Sequence, residues 1–238
     1  MRTIGLIGGM SAESTRLYYD AMTADVRRRL GGLHSPRVII FAVDFAPIAE
    51  MQAAGEWDEA GGVLADAAQA LERAGAEAIG LATNTMHKLA PQIAGAVSIP
   101  FLHIAEATAK SLLAAGRRRP FLLATRFTME ETFYTGLLRT RGLDVSIPDA
   151  TTRAEVHRII FDELCRGEIK PRSRALYQSL VETAARAGAD SVILGCTEVG
   201  MLLTADNTVL PVFDTTLIHA AALVDFALAA PGDAPNTP

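Results

Sequence analysis

One stretch of this chain occurs twice, half a chain apart, and that duplication constrains the fold more than any other feature. Residues 72–86 read ERAGAEAIGLATNTM and residues 185–199 read ARAGADSVILGCTEV. Aligned without a gap, the copies share Arg73/Arg186, Ala74/Ala187, Gly75/Gly188, Ala76/Ala189 and Leu81/Leu194. The alignment sets Thr83 opposite Cys196, 113 positions further along a chain of 238. Within a few positions the same offset relates TIGLIGGMS at residue 3 to FLLATRFTM at residue 121. A duplicated half-domain that closes on its copy presents equivalent strand ends to one ligand from opposite sides. Thr83 and Cys196 are therefore candidates to flank a single molecule, an arrangement suited to proton chemistry at one carbon.

Short apolar runs alternate with longer segments of helical period. Thr3 to Ile7, Val38 to Val43, Ala78 to Ala82, Phe101 to Ile104, Phe121 to Ala124 and Ser191 to Leu194 all read as buried strands. Their apolarity is continuous rather than alternating, as strands covered on both faces require, so the expected class is α/β with mostly parallel sheets flanked by helices. The duplication divides it into two pseudo-symmetric lobes with the active site between them. The first lobe is expected over residues 1–98 plus 211–230, the second over 99–210. A last helix from Thr215 to Ala229 returns to the first lobe, and the proline-bearing tail 231–238 is expected to be disordered.

Bulk properties exclude several functions. Lys and Arg number 22 against 27 Asp and Glu, for a net charge of −5, and no basic face for nucleic acid emerges. The two arginine runs, Arg27–Arg29 and Arg117–Arg119, read as helix ends, where cations favour the dipole. No apolar run nears the ~20 residues of a membrane span. The opening MRTIGLIGG is too short for a secretory signal, so the expectation is a cytoplasmic protein. Two cysteines, Cys165 and Cys196, make neither a disulfide framework nor a zinc set. Cys165, read as mid-helix, is assigned to packing. His87, His103 and His219 each stand alone in apolar context without metal spacing, so no metal is expected.

Ligands of parallel α/β sheets bind beyond the carboxyl ends of the strands. The strand ends here carry Gly8-Gly9-Met10-Ser11, Thr83-Asn84-Thr85, Thr125-Arg126-Phe127-Thr128 and Cys196-Thr197-Glu198. Each turn is expected to open a helix whose first N–H groups hold a carboxylate. Ser11, Thr85 and Thr197 fit helix capping as well as ligand binding. Cys196, between a strand and a helix start, fits either a small buried apolar residue or a thiolate with a depressed pKa. Glu198 fits three roles: orienting that thiol, holding a substrate ammonium, or capping.

The set GLIGGMS, VDF followed by GEWD, TNTMHK, PFLHI, FTME, GCTE and LPVFDTT resembles the aspartate/glutamate racemases, from residue 3 to about 228. The resemblance implies an isomerase that interconverts L- and D-aspartate or glutamate without pyridoxal phosphate or any other cofactor, and a homodimer. It implies a cysteine at each pseudo-symmetric site, one removing the α-proton and the other returning it on the opposite face. Here the first site is Thr83, as in a subgroup active on aspartate and glutamate that carries threonine there. By the same motifs Met10, Ser11, Asn84, Thr85 and Thr197 hold the α-carboxylate and ammonium; Glu198, Thr125 and Gln52 are further candidates by position, the last two for the side-chain carboxylate. The loop Asp44 to Gln52 carries Pro47 and Gln52 where many aspartate racemases have an arginine. The partner is thus a small anionic amino acid. A single-cysteine decarboxylase or isomerase of the same superfamily and a catalytically silent small-acid binder are the alternatives.

Overall fold

The computed structural model describes residues 1–230; the tail 231–238, for which disorder was expected, lies outside the described residues. In chain order the elements are β1 (Ile4–Gly8), α1 (Ala12–Leu30), β2 (Val38–Ala42), α2 (Phe45–Ala54), α3 (Trp57–Arg73), β3 (Ala78–Leu81), α4 (Ala90–Gly95), α5 (Ile104–Ala114), β4 (Pro120–Ala124), α6 (Arg126–Glu130), α7 (Thr132–Thr140), α8 (Ala150–Asp162), α9 (Pro171–Arg186), β5 (Ser191–Gly195), β6 (Val212–Asp214) and α10 (Thr215–Leu228). The described residues divide into two compact units, residues 1–103 with 219–230, and residues 104–218.

Each unit holds a three-stranded parallel sheet, in the order β2-β1-β3 in the first and β4-β5-β6 in the second. Two isolated bridges extend the likeness. Phe101 pairs with Ile79 beyond β3, where the second unit has β6, and Ser146 pairs with Phe121 beyond β4, where the first has β2. The central strands are fully buried, since helices cover both faces. In the first unit Ile7, Ile79 and Leu81 pack with α3, while Ile4 and Leu6 pack with Tyr18 and Met22 of α1 and with Leu223 and Val224 of α10. In the second, Leu122, Leu123, Val192 and Ile193 pack among residues of α5, α7, α8 and α9.

The repeated Arg-Ala-Gly-Ala is the turn from helix to strand. Gly75 has φ +94° and Gly188 φ +97°, in the region where a side chain is strained. The next residue closes each helix: Ala76 N donates to Leu71 O at 3.0 Å and Ala189 N to Ala184 O at 2.9 Å. The repeat therefore encodes how each unit feeds its site-bearing strand, β3 or β5.

Four sequence expectations need correction. Val38 to Val43 is not a buried strand: β2 is the edge of its sheet, and Ile40 and Phe41 are exposed. Phe101 to Ile104 is not a strand: only Phe101 bridges, and α5 begins at Ile104. Arg117–Arg119 does not end a helix. It links α5 to β4, and the Arg118 and Arg119 N–H groups donate to Asp190 Oδ2 at 2.7 and 3.0 Å. Cys165 lies past the end of α8, in a 3₁₀ turn over Leu164–Arg166, although it still packs on the core. The short strand β6, after Pro211, is not legible in the sequence, because three residues give too little periodicity to read.

Candidate active site

In the first unit the parallel register sets Ile7 beside Leu81, so the turn after β1 and the turn after β3 leave the same edge of the sheet. Met10, Ser11, Thr83, Asn84 and Thr85 all sit on these two turns. Gly9 shapes the first: it has φ +96°, and a Cβ there would lie 2.1 Å from Val43 O, so only glycine permits the approach to β2. Side chains of the turn and of α1 tie the two together. Gly9 N donates to Thr15 Oγ1 at 2.8 Å, and Ser11 Oγ caps α1 by accepting from Ser14 N at 3.2 Å. Ser14 Oγ donates to Ala82 O at 2.7 Å, fastening α1 to the residue before Thr83.

Thr83 is placed by its backbone. His87 Nδ1 lies 2.7 Å from Thr83 O, and because a carbonyl only accepts, that nitrogen carries the proton. The His87 ring is completely enclosed, 4.6 Å from the His103 ring and 5.8 Å from that of His219 between centroids. His219 is neutral with its tautomer fixed: Nε2–H donates to Leu102 O at 2.8 Å, and Nδ1 accepts from Tyr18 Oη at 2.8 Å. Burial lowers the pKa of His219 to about 4 and, helped by the other two imidazoles, holds that of His87 well below the usual histidine value. No group of three or more His, Cys, Asp or Glu among the described residues could hold a metal ion. Each histidine looks ordinary alone in the sequence, and their clustering depends on long-range packing. Gln52, buried on α2, donates through Nε2 to Met86 Sδ at 2.8 Å and so joins the turn that carries Asn84 and Thr85.

In the second unit Ala124 pairs with Gly195, so Thr125 and Cys196 leave neighbouring strand ends. Thr125 caps the five-residue α6 by accepting from Thr128 N at 3.4 Å, and its Oγ1 lies 3.2 Å from Thr128 Oγ1. Cys196 Sγ donates to Glu198 Oε2 at 2.9 Å, and Thr197 Oγ1 donates to the same oxygen at 2.5 Å. Thr215 Oγ1 donates to Leu194 O at 2.8 Å, while Asp214 Oδ1 accepts from Thr216 N and Leu217 N at 2.8 and 3.2 Å. The DTT of LPVFDTT thus caps α10 and pins it to β5 two residues before the thiol, a positioning role that the sequence reading left unassigned.

Two electrostatic expectations are overturned. Thr83–Thr85 and Cys196–Glu198 lead into single 3₁₀ turns, Thr85–Leu89 and Thr197–Met201, not α-helices, so the macrodipole expected there is slight. The Cys196 thiol is not depressed. Burial, reinforced by the carboxylate of Glu198, raises its pKa well above the ordinary thiol range. The resting group is a neutral thiol that hands its hydrogen to Glu198. Glu198 Oε2 thus accepts from both the thiol and the neighbouring hydroxyl.

Comparison with known proteins agrees with this layout. A broad specificity amino-acid racemase of Bacillus subtilis, RacX, is 27% identical over 95% of this chain and 98% of its own. A candidate Asp/Glu racemase from Yersinia pestis has a structure that superposes with a TM-score of 0.90 at 46% identity, covering 96% of this chain and 100% of that one. An aspartate racemase homologue from Pyrococcus horikoshii gives a TM-score of 0.84 at 35% identity, over 95% and 99% of the two chains. No helix among the described residues is long and apolar enough to cross a membrane. With two like-folded units, a polar constellation at the strand ends of each, and a family model matching residues 7–223, the chain belongs to the Asp/Glu/Hydantoin racemase family.

Proposed function

We propose that this protein is a cofactor-independent racemase that interconverts the L and D forms of aspartate or glutamate, with Cys196 and Thr83 as the two acid/base groups serving opposite faces of one α-carbon. The observation that carries this reading is the Cys196 thiol held 2.9 Å from the Glu198 carboxylate at the end of β5, with Thr83 after the corresponding strand β3 of the other unit. Removing an α-proton beside a carboxylate creates a high-energy carbanion, so the reaction needs a placed base, a placed acid and hydrogen bonds that strengthen as charge moves onto the carboxylate. Met10, Ser11, Asn84, Thr85 and Thr197 hold the α-carboxylate and ammonium in this reading, and Thr125 and Gln52 face the distal carboxylate.

The proton inventory is asymmetric. As a neutral thiol, Cys196 is ready to donate; to act as base it first passes its proton to Glu198, giving a thiolate beside a neutral carboxyl. Thr83 carries a hydroxyl, a far weaker acid than a thiol, so the half-reaction that needs its conjugate base is the slower at saturation. Enantiomers have equal free energy in achiral water, so kcat/KM must still match in the two directions, and the asymmetry is confined to kcat. Incubation with L- and D-aspartate and L- and D-glutamate in deuterated water, followed by chiral separation and mass analysis, tests the reading. Inversion accompanied by one solvent deuterium at Cα is expected; neither inversion nor exchange with any of the four overturns it. The presence of one thiol rather than two, resting as a proton donor, favours a second reading, decarboxylation of a malonate-type acid with protonation from one face. Release of carbon dioxide without racemisation would select it.

A further inference from the structure

The GEWD stretch and the lysine of TNTMHK meet in the structure. Gly55, at φ +79°, ends α2, and Glu56 N donates to Met51 O at 2.9 Å, so the chain turns sharply and α3 opens at Trp57. Because α3 runs back across the sheet to feed β3, its first residues lie at the edge where β3 ends, the edge from which the Thr83 turn leaves. There Lys88 Nζ stands 3.9 Å from the centroid of the Trp57 ring, and both residues are half-buried. Gln92 of α4 adds a tie to the same helix start, its Nε2 donating to Asp58 O at 3.4 Å. Successive residues of the 3₁₀ turn Thr85–Leu89 are thus gripped by different partners: Met86 by Gln52, His87 by the Thr83 carbonyl and Lys88 by Trp57. The hydrogen bonds of a 3₁₀ turn are poorer than those of an α-helix, so side-chain contacts bear much of the work of fixing it.

We propose that Trp57 and Lys88 are positioning residues: their cation–π contact fixes the 3₁₀ turn and, through it, the Thr83 hydroxyl, so that proton transfer on the Thr83 face depends on them and proton transfer on the Cys196 face does not. The inference rests on the racemase reading above and says which of its two half-reactions the pair serves. Lys88 adjoins His87, whose ring donates to Thr83 O, so a turn released at Lys88 loosens the grip on the residue that must meet the α-carbon. Cys196 is held by contacts of its own unit, with Glu198 beside the thiol and α10 pinned to β5. The indole suits this place, because its quadrupole holds an ammonium while bringing no negative charge to a site that binds an anion.

The full chain, incubated in deuterated water with each enantiomer of aspartate and glutamate, tests this, with circular dichroism to verify folding. Inversion needs both groups, whereas exchange of the α-proton with retention of configuration needs Cys196 alone. Trp57→Leu and Lys88→Met should each lower the ratio of inversion to retentive exchange ~10-fold while leaving retentive exchange within ~2-fold of wild type. The double variant should lose no more than either single one, because both remove the same contact. Trp57→Phe, which keeps a ring face beneath the ammonium, should retain most of the ratio. A ratio unchanged in both single variants of an active chain overturns the inference and leaves the racemase reading standing. So does an equal fall of inversion and exchange, the mark of a protein merely destabilised, and so does a double variant whose loss is the product of the two single losses. If Trp57→Leu fails to fold, Lys88→Met decides: a ratio like that of wild type overturns the inference. A wild-type chain that neither inverts nor exchanges any of the substrates overturns the racemase reading, and this inference with it.

Discussion

The two units share a strand order and a helix-to-strand turn but differ in what surrounds the residue that ends the site-bearing strand. Thr83 is held by a cluster of imidazoles: His87 donates to its carbonyl, and His103 and His219 pack against the His87 ring. Cys196 sits beside a carboxylate that accepts a hydrogen bond from its thiol. One surround fixes a backbone; the other sets a carboxylate against a thiol. The duplication thus kept the scaffold, whose packing tolerates little change, and let the polar lining diverge, because side chains at strand ends can be exchanged without disturbing the sheet.

That contrast can be broken most directly at the sulfur. Cys196→Ser removes the more acidic of the two groups, and exchange of the substrate α-proton with deuterated water, followed by proton NMR, should fall by ~10³-fold or more. Near wild-type exchange would take Cys196 out of the chemistry. Thr83→Cys makes the two sides alike and should raise kcat of the slower direction by ~10-fold or more, bringing the two kcat values together. If both directions stay unchanged, Thr83 is a wall of the site only.

Glu198→Gln sharpens the comparison from the other side. Glu198 raises the thiol pKa by charge and by hydrogen bonding, although burial is the larger cause. The variant thiol should therefore titrate at lower pH, read as thiolate absorbance in a Cys165→Ser background, while turnover falls ~10–100-fold for want of a proton acceptor. A titration that does not move down would show that the carboxylate leaves the thiol unaffected.

The histidines give a pH prediction with a definite sign. The folded-state pKa of His219 is about 4, below its ordinary value of 6.5, so the unfolded chain binds the proton first. The stability this group contributes is complete above 6.5 and is lost as pH falls toward 4, by roughly 3 kcal/mol in all. His87 acts in the same direction. Denaturant unfolding at a series of pH values should show the first unit weakening across that window, and a flat profile would contradict the buried neutral assignment. The smallest effect is expected from His87→Asn. It should lower kcat only a few-fold while leaving the Cys196 titration unmoved, since it acts through the backbone at Thr83.

Most of the scaffold was legible in the sequence because continuous apolar runs such as Ile4–Gly8 and Ser191–Gly195 carry their burial in their composition. The repeat exposed Thr83 and Cys196 as equivalents because Gly75 and Gly188 must recur wherever the same turn does. What stayed hidden depends on three dimensions. The His87, His103 and His219 cluster draws on residues more than a hundred positions apart. The thiol pKa depends on desolvation, which a motif does not encode, and the local rule for a helix start pointed the wrong way. Phe101 shows the converse: an apolar run was read as a strand, yet the start of α5 at Ile104 leaves room for one bridge only.

The packing of α10 has a consequence for synthesis. Ala220, Leu223, Val224 and Ala227 complete the core around Ile4 and Leu6, and Arg2 N donates to Ala227 O at 2.8 Å. Strand β1 therefore waits for residues made more than two hundred positions later. Until they emerge, the nascent first unit exposes the apolar underside of β1, and in that interval chaperone binding or premature aggregation competes with folding.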